Sequence, residues 1–321
     1  MADRKKINGK KIKSILIQNN TYIILLFLVI VSTILTRDFL SVMNIRNIFL
    51  QHSGLFLVAI GMLFVILTGG IDLAVGSYMA FGLSLMGVLF VNLGLSLELS
   101  VGISLAAGFA MGAVTGILVA YANMQGFIAS LAMMSVARGF AFVITTGTPI
   151  PIPFNTIDNL VSRAAGFPIF YIVGAIIILF MIIQHYTTYG RLIVACGSNR
   201  NAVELAGIRV RRYIASVYAI SGLLAVFAGI IAGARVSTAT PSLGFGFELH
   251  AIAACVIGGA SLAGGVGSVP KTIAGVLVLA LIGNVMNLMA VPPYPQDIIR
   301  GGIIVLAVLL QVLTRRAERS V

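Results

Sequence analysis

The chain has 321 residues, of which 59% are hydrophobic and 9% charged, and its net charge is +12. Soluble domains carry about 25% charged residues, so a water-soluble fold of this size could not cover its surface, and lipid is its natural solvent. The basic excess does not point to nucleic acid, because most of the 21 Lys and Arg fall in three short segments with no interleaved aromatics.

The first segment is Arg4, Lys5, Lys6, Lys10, Lys11 and Lys13, ahead of an apolar run over 14–36. That run ends at Arg37-Asp38 without a small-residue cleavage pattern, so it reads as a retained span. A helix needs about 20 apolar residues to cross a bilayer, and such windows recur. Those at 47–71 and 73–97 flank Asp72, and 99–137 holds two helices with a turn at Asn123-Met124-Gln125-Gly126. The fifth span starts near Phe127 and continues through 139–147, and Thr148-Pro149-Ile150-Pro151-Ile152-Pro153 then forces an extended loop.

A sixth span covers 168–186 and is followed by a polar segment, 187–213, carrying Arg191, Arg200, Arg209, Arg211 and Arg212. Further spans follow at 213–234, a short 249–262, 272–290 and 298–314, and Arg315, Arg316 and Arg319 close the chain. The expectation is an all-α polytopic transmembrane helical bundle of about ten spans in one domain, 1–321. The positive-inside rule places 1–13, 187–213 and 315–321 in the cytoplasm, and an even span count agrees.

Two glycine-rich segments look alike: Gly69-Gly70-Ile71-Asp72-Leu73-Ala74-Val75-Gly76-Ser77 and Gly258-Gly259-Ala260-Ser261-Leu262-Ala263-Gly264-Gly265. Two related halves would produce this, as in many transporters, and so would chance similarity of glycine-rich apolar strings. Gly70, Asp72, Gly259 and Gly264 are therefore candidates for the translocation pathway. Asp72 also fits as the N-cap of the third span near the membrane surface, which avoids most of the cost of a carboxylate in lipid.

Gly108, Gly112 and Gly116 share one helix face and suit close packing, within the chain or between subunits, with packing within the chain favoured. Gly265-Val266-Gly267-Ser268-Val269-Pro270-Lys271-Thr272 imitates a phosphate loop, but Pro270 has no N–H for a phosphate, so it reads as the start of a helix. In 187–213, Asn199 can cap a helix of about two turns that Gly207 ends, with Ala202, Val203 and Ala206 on one face. A docking helix and an ordinary connector both fit. Cys196 and Cys255, and His52, His185 and His250, lack disulfide or metal spacing.

Gly70–Ser77 resembles the G-I-D-L-S-V-G-S signature of ribose-type ABC permeases, and Gly258–Gly265 resembles their G-G-T-S-L-A-G-G segment. Gly190-Arg191 through Gly207-Ile208 is similar to the family's cytoplasmic loop, G-R-x-x-x-A-x-G-x-N-x-x-A. The resemblance implies a pore-forming permease for a ribose-like monosaccharide, paired with a second copy of itself. Asn199, Ala202, Glu204 and Gly207 would belong to the coupling helix that meets a cytoplasmic ABC ATPase. That ATPase would hold ATP and Mg, leaving this chain without cofactor or catalytic residue, and a periplasmic binding protein would deliver the sugar.

Two departures stand out. Arg200-Asn201-Ala202 replaces the usual Glu-Ala-Ala, and Val266 stands where relatives often have Lys. Permeases for nucleosides or branched-chain amino acids belong to the same superfamily. An ion-coupled secondary transporter would need partnered intramembrane acids, for which Asp72 alone is at hand.

Overall fold

A computed structural model describes residues 20–153 and 168–319. The basic N-terminal segment, 1–13, lies outside the described residues. Twelve helices are present among those described. The first five are α1 (Asn20–Leu35), α2 (Val42–Leu67), α3 (Val75–Gly87), α4 (Leu97–Ala120) and α5 (Gly126–Ile144). They are followed by α6 (Pro168–Tyr186), α7 (Thr188–Ser198), α8 (Arg200–Leu205), α9 (Val210–Val236), α10 (Phe247–Ile257), α11 (Val269–Leu288) and α12 (Pro293–Arg319).

Every expected span corresponds to a helix, and among the described residues seven helices are long and apolar enough to cross a membrane: α2, α3 with the π turn Val88–Asn92 that extends it, α4, α5, α6, α9 and α11. α10 is apolar but only 11 residues long, which is why 249–262 is too short to read as a full span. The Pro-rich loop is not merely extended. Its β1 (Ile150–Pro151) pairs antiparallel with β2 (Thr238–Ala239), Ile150 opposite Ala239, and the Ile152 N–H donates to the Ser237 carbonyl at 2.9 Å.

The helices divide into an enclosed set and a peripheral one. In α2, 83% of the most apolar window is buried, against 22% in α6. α9, about 40 Å long at 1.5 Å per residue, is the other central element. It packs along α2, α3 and α4, and glycines set the spacing. A Cβ on Gly108, Gly112 or Gly116 of α4 would collide with Gly222, Tyr218 or Ala215 of α9 respectively. The glycine triplet therefore serves packing within the chain, where backbones can approach because no side chain intervenes.

α2 runs antiparallel to α9, with Gly54 against Ala228 and Gly61 against Ser221. α3 returns parallel to α9, so that Met79 lies on Gly229 and Leu83 on Gly233. At the end of α2 remote from Leu67, Asn44 and Asn284 of α11 exchange amide hydrogen bonds of 3.0 and 2.7 Å. Tyr78 of α3 and Thr115 of α4 share a hydroxyl hydrogen bond of 2.5 Å, which satisfies two polar groups that lipid could not.

Gly112 tests the α4–α9 seam. Gly112→Leu should lower stability by about 1–3 kcal/mol through overpacking, whereas Gly102→Leu, where an added Cβ meets nothing within 4 Å, should leave it unchanged. Thermal unfolding of the two variants in detergent measures the difference.

Candidate functional site

α2 and α10 end in the same way. Gly69 and Gly259 both take φ +82°, a left-handed conformation that glycine adopts without a Cβ clash. Gly69 N–H bonds the Ile66 carbonyl at 2.9 Å and Gly70 N–H bonds Val65 at 3.1 Å. Gly259 N–H likewise bonds Val256 at 2.8 Å and Ala260 N–H bonds Cys255 at 2.9 Å. Both are Schellman caps. The two segments thus share a local conformation, but Gly69 corresponds to Gly259, one residue away from the register in which their sequences align.

The two breaks meet. Gly265 N–H donates to the Leu67 carbonyl at 3.0 Å. A Cβ on Gly264 would lie 2.9 Å from Gly69 N and 3.1 Å from Gly197 Cα. A Cβ on Gly197 itself would strike the Leu67 carbonyl, and one on Gly265 would strike Ser198. Three chain segments, the end of α2, the end of α7 and the loop before α11, therefore touch backbone to backbone. Gln184 of α6 completes the arrangement: its Nε2 donates to the Gly267 carbonyl at 2.9 Å and its Oε1 accepts the Val269 N–H at 2.7 Å. Pro270 falls in the first turn of α11, which Ser268 precedes.

Asp72 follows the first break and is 0% exposed. It is not the helix cap: Ala74 holds that position and makes no side-chain cap bond. Instead Asp72 Oδ1 accepts the Ala74 N–H at 3.0 Å and Oδ2 accepts the Ser221 hydroxyl at 2.8 Å. Ser221 lies about 16 Å along α9 from its start, so Asp72 sits well inside the bundle rather than at the end of the helix it bonds. Tyr218, one turn away and buried, donates to the Ile71 carbonyl at 3.4 Å. Its hydroxyl fills the space that Gly70 and Gly126 leave open. Of the four sequence candidates, Gly70, Asp72 and Gly264 are packed at or beside the junction, and Gly259 forms an exposed turn.

α7 and α8 form the polar segment expected over 187–213. Thr187 caps α7 through the Gly190 N–H at 3.1 Å, and Asn199 caps α8 through the Ala202 N–H at 3.0 Å. Gly207, at φ +80°, ends α8 in a third Schellman cap, with Gly207 N–H on Glu204 at 3.0 Å and Ile208 N–H on Val203 at 3.3 Å. The expected shared face is divided. Val203 turns inward at 8% exposure, while Ala202 and Ala206 face outward with Leu205, which is 90% exposed. Glu204 pairs with Arg200 at 3.0 Å on the same outer surface. Burial pushes the Cys196 thiol of α7 up from its ordinary value, with Arg200 acting against the rise, so the thiol is not poised to react.

Ser221, Tyr218 and Gln184 did not stand out in the sequence, since a Ser, Tyr or Gln within an apolar run carries no periodic signal. Arg138 did leave one: it alone separates the uncharged stretches 99–137 and 139–147. No cluster of His, Cys, Asp and Glu suited to a metal occurs among the described residues.

Apolar helices in this number, two of them ending in glycine breaks that meet, with a polar helix pair seated on the meeting point, define a multi-pass membrane transport protein. The family model described as branched-chain amino acid transport system / permease component matches residues 44–308, and the chain belongs to that family. It is 40% identical over 308 residues to the ribose import permease protein RbsC of Escherichia coli K12, covering 93% of this chain and 94% of that one. It is 38% identical to the Bacillus subtilis protein of the same name, over 89% of this chain and 90% of that one. To the L-arabinose ABC transporter permease protein AraH of Azospirillum brasilense it is 34% identical, covering 94% and 90%. No solved structure gives a significant match.

Asp72→Ala would leave the Ala74 N–H and the Ser221 hydroxyl buried without an acceptor, at about 1–3 kcal/mol for each group. Asp72→Asn retains an acceptor oxygen for Ala74. Thermal unfolding in detergent should therefore rank the wild type and Asp72→Asn close together and Asp72→Ala well below both.

Proposed function

We propose that this chain is the inner-membrane permease subunit of an ATP-driven importer for a ribose-like monosaccharide. Two copies would form the translocation path, and a periplasmic binding protein would deliver the sugar. A separate cytoplasmic ABC ATPase would carry ATP and Mg, so that this chain does no catalysis. The observation that carries the reading is the seating of α8. It presents Ala202, Leu205 and Ala206 outward, while the helix before it ends at Gly197-Ser198, directly against both glycine breaks.

An exposed Leu on a short polar helix suits burial by a partner protein. A push on α8 would reach Leu67 and Gly264-Gly265 through backbone contact, with no flexible side chain to absorb it. The choice of a sugar is supported by relatives that match nearly end to end and are named for ribose and arabinose import. In this reading both termini and α7–α8 are cytoplasmic, in keeping with their basic residues.

A second reading, import of a branched-chain amino acid, is favoured by the description of the matching family. Uptake of labelled ribose, arabinose and leucine by cells lacking the gene, with and without its restoration, decides between the two. Restored sugar uptake that survives an uncoupler at constant ATP supports the importer. Restored leucine uptake replaces it, and uptake that collapses with the ion gradient rejects ATP coupling.

Gly207→Val forces a β-branched residue into the left-handed region, which costs about 1–3 kcal/mol, and should misplace the end of α8. Sugar uptake should fall while the permease still reaches the membrane and hydrolysis by the assembled transporter loses its response to loaded binding protein. Normal uptake by this variant would remove α8 from the coupling role.

A further inference from the structure

Arg138 stands well inside α5, and its guanidinium is turned toward the chain that leads into α10. Nη1 donates to the carbonyls of Pro241 at 2.8 Å and Leu243 at 2.6 Å, and the guanidinium lies 4.1 Å from the centroid of the Phe245 ring. This chain makes a compact turn with Gly244 at φ +80° and Gly246 at φ +79°. The turn presses on the start of α3, where Gly76 and Gly244 touch backbone to backbone and a Cβ on either would strike the other's carbonyl.

Glu248 follows in the first turn of α10. Its Oε2 lies 2.7 Å from where a Cβ of Gly76 would be, so the carboxylate occupies space that this glycine leaves free. It is within electrostatic reach of Arg138, yet the ion pairs of the described residues do not include it, nor do their hydrogen bonds engage its side chain.

Glu248 is half-buried at the start of a short apolar helix, and an ionisable group in such a bundle is a candidate functional residue. Its surroundings indicate what kind. Phe245 is 69% exposed and Leu249 56% exposed, Ser242 is also exposed, and Arg138 occupies only one face of the Phe245 ring. An unpaired carboxylate accepts hydrogen bonds from hydroxyls. An open aromatic ring covers the C–H face of a sugar, and the two together suit a neutral polyhydroxylated ring. A bare cation would need several oxygen ligands, and the neighbouring guanidinium disfavours one.

We propose that Glu248 contacts the monosaccharide in the translocation path, accepting its hydroxyls beside the Phe245 ring. Arg138 is the positioning residue that holds the Pro241–Gly246 turn so that both face the path. This rests on the sugar-permease reading above. Glu248 then determines which hydroxyl arrangement passes, because a carboxylate only accepts whereas an amide also donates.

The test uses proteoliposomes containing the whole transporter with saturating binding protein, and labelled ribose, arabinose and xylose, which differ in hydroxyl configuration. Glu248→Gln should lower uptake of the preferred sugar about tenfold or more, as expected for loss of a charge-assisted hydrogen bond, and should change the ranking of the three. Arg138→Lys keeps the charge but loses the two-carbonyl fork, and should lower all three in proportion. If Glu248→Gln leaves uptake unaltered, or scales all three sugars down equally, Glu248 does not touch substrate and the inference is wrong. A wild-type transporter that carries none of the three would instead overturn the sugar reading, and this inference with it.

Discussion

A hydrogen bond between two main-chain groups, Gly265 N–H and the Leu67 carbonyl, joins the two places where the bundle's helices are interrupted. Lipid offers no partner to a free peptide group, so an interrupted helix is tolerated in a membrane protein only where protein surrounds the interruption. Here each break supplies the other's surroundings. Gly69, Gly264 and Gly197 bring three backbones to one point, and Gln184 satisfies two further backbone groups, the Gly267 carbonyl and the Val269 N–H. Without that mutual cover, neither α3 nor α11 could start where it does.

The arrangement of α9 follows from the same constraint. It passes the first break with two polar side chains, Ser221 and Tyr218, which engage Asp72 and the Ile71 carbonyl. Along its other side it meets α4 through a seam of glycines. α9 therefore does more than fill the core, because it supplies the hydroxyls that make an unwound segment tolerable inside the bundle. α5 performs the corresponding service for the turn before α10, through a single guanidinium.

The spans were legible in the sequence because a 20-residue apolar window has few alternatives in lipid. The α8 caps were legible too, since Asn at a helix start and Gly just past its end each answer a specific backbone need. Asp72 was found, but its setting was misjudged. Capping at a surface and bonding within a core call for the same residue, and only the fold shows that Ser221, 149 positions later, is the second partner. The register between the two breaks was also off by one. Two adjacent glycines can each take the left-handed position, and the sequence does not say which one does. Glu248 carries no such signal, because it precedes its apolar run, where an acidic residue looks like an ordinary helix start.

The reciprocal amide pair between Asn44 and Asn284 acquires a mechanical meaning beside the Leu67–Gly265 bond. α2 is riveted to α11 at one end through side chains, and to the approach of α11 at the other through backbone. A beam fixed to its neighbour at both ends cannot slide along it, so the two can only tilt or roll as one strut. A displacement at the Leu67–Gly265 end would then carry α2 and α11 together, without any side chain in between having to change its conformation.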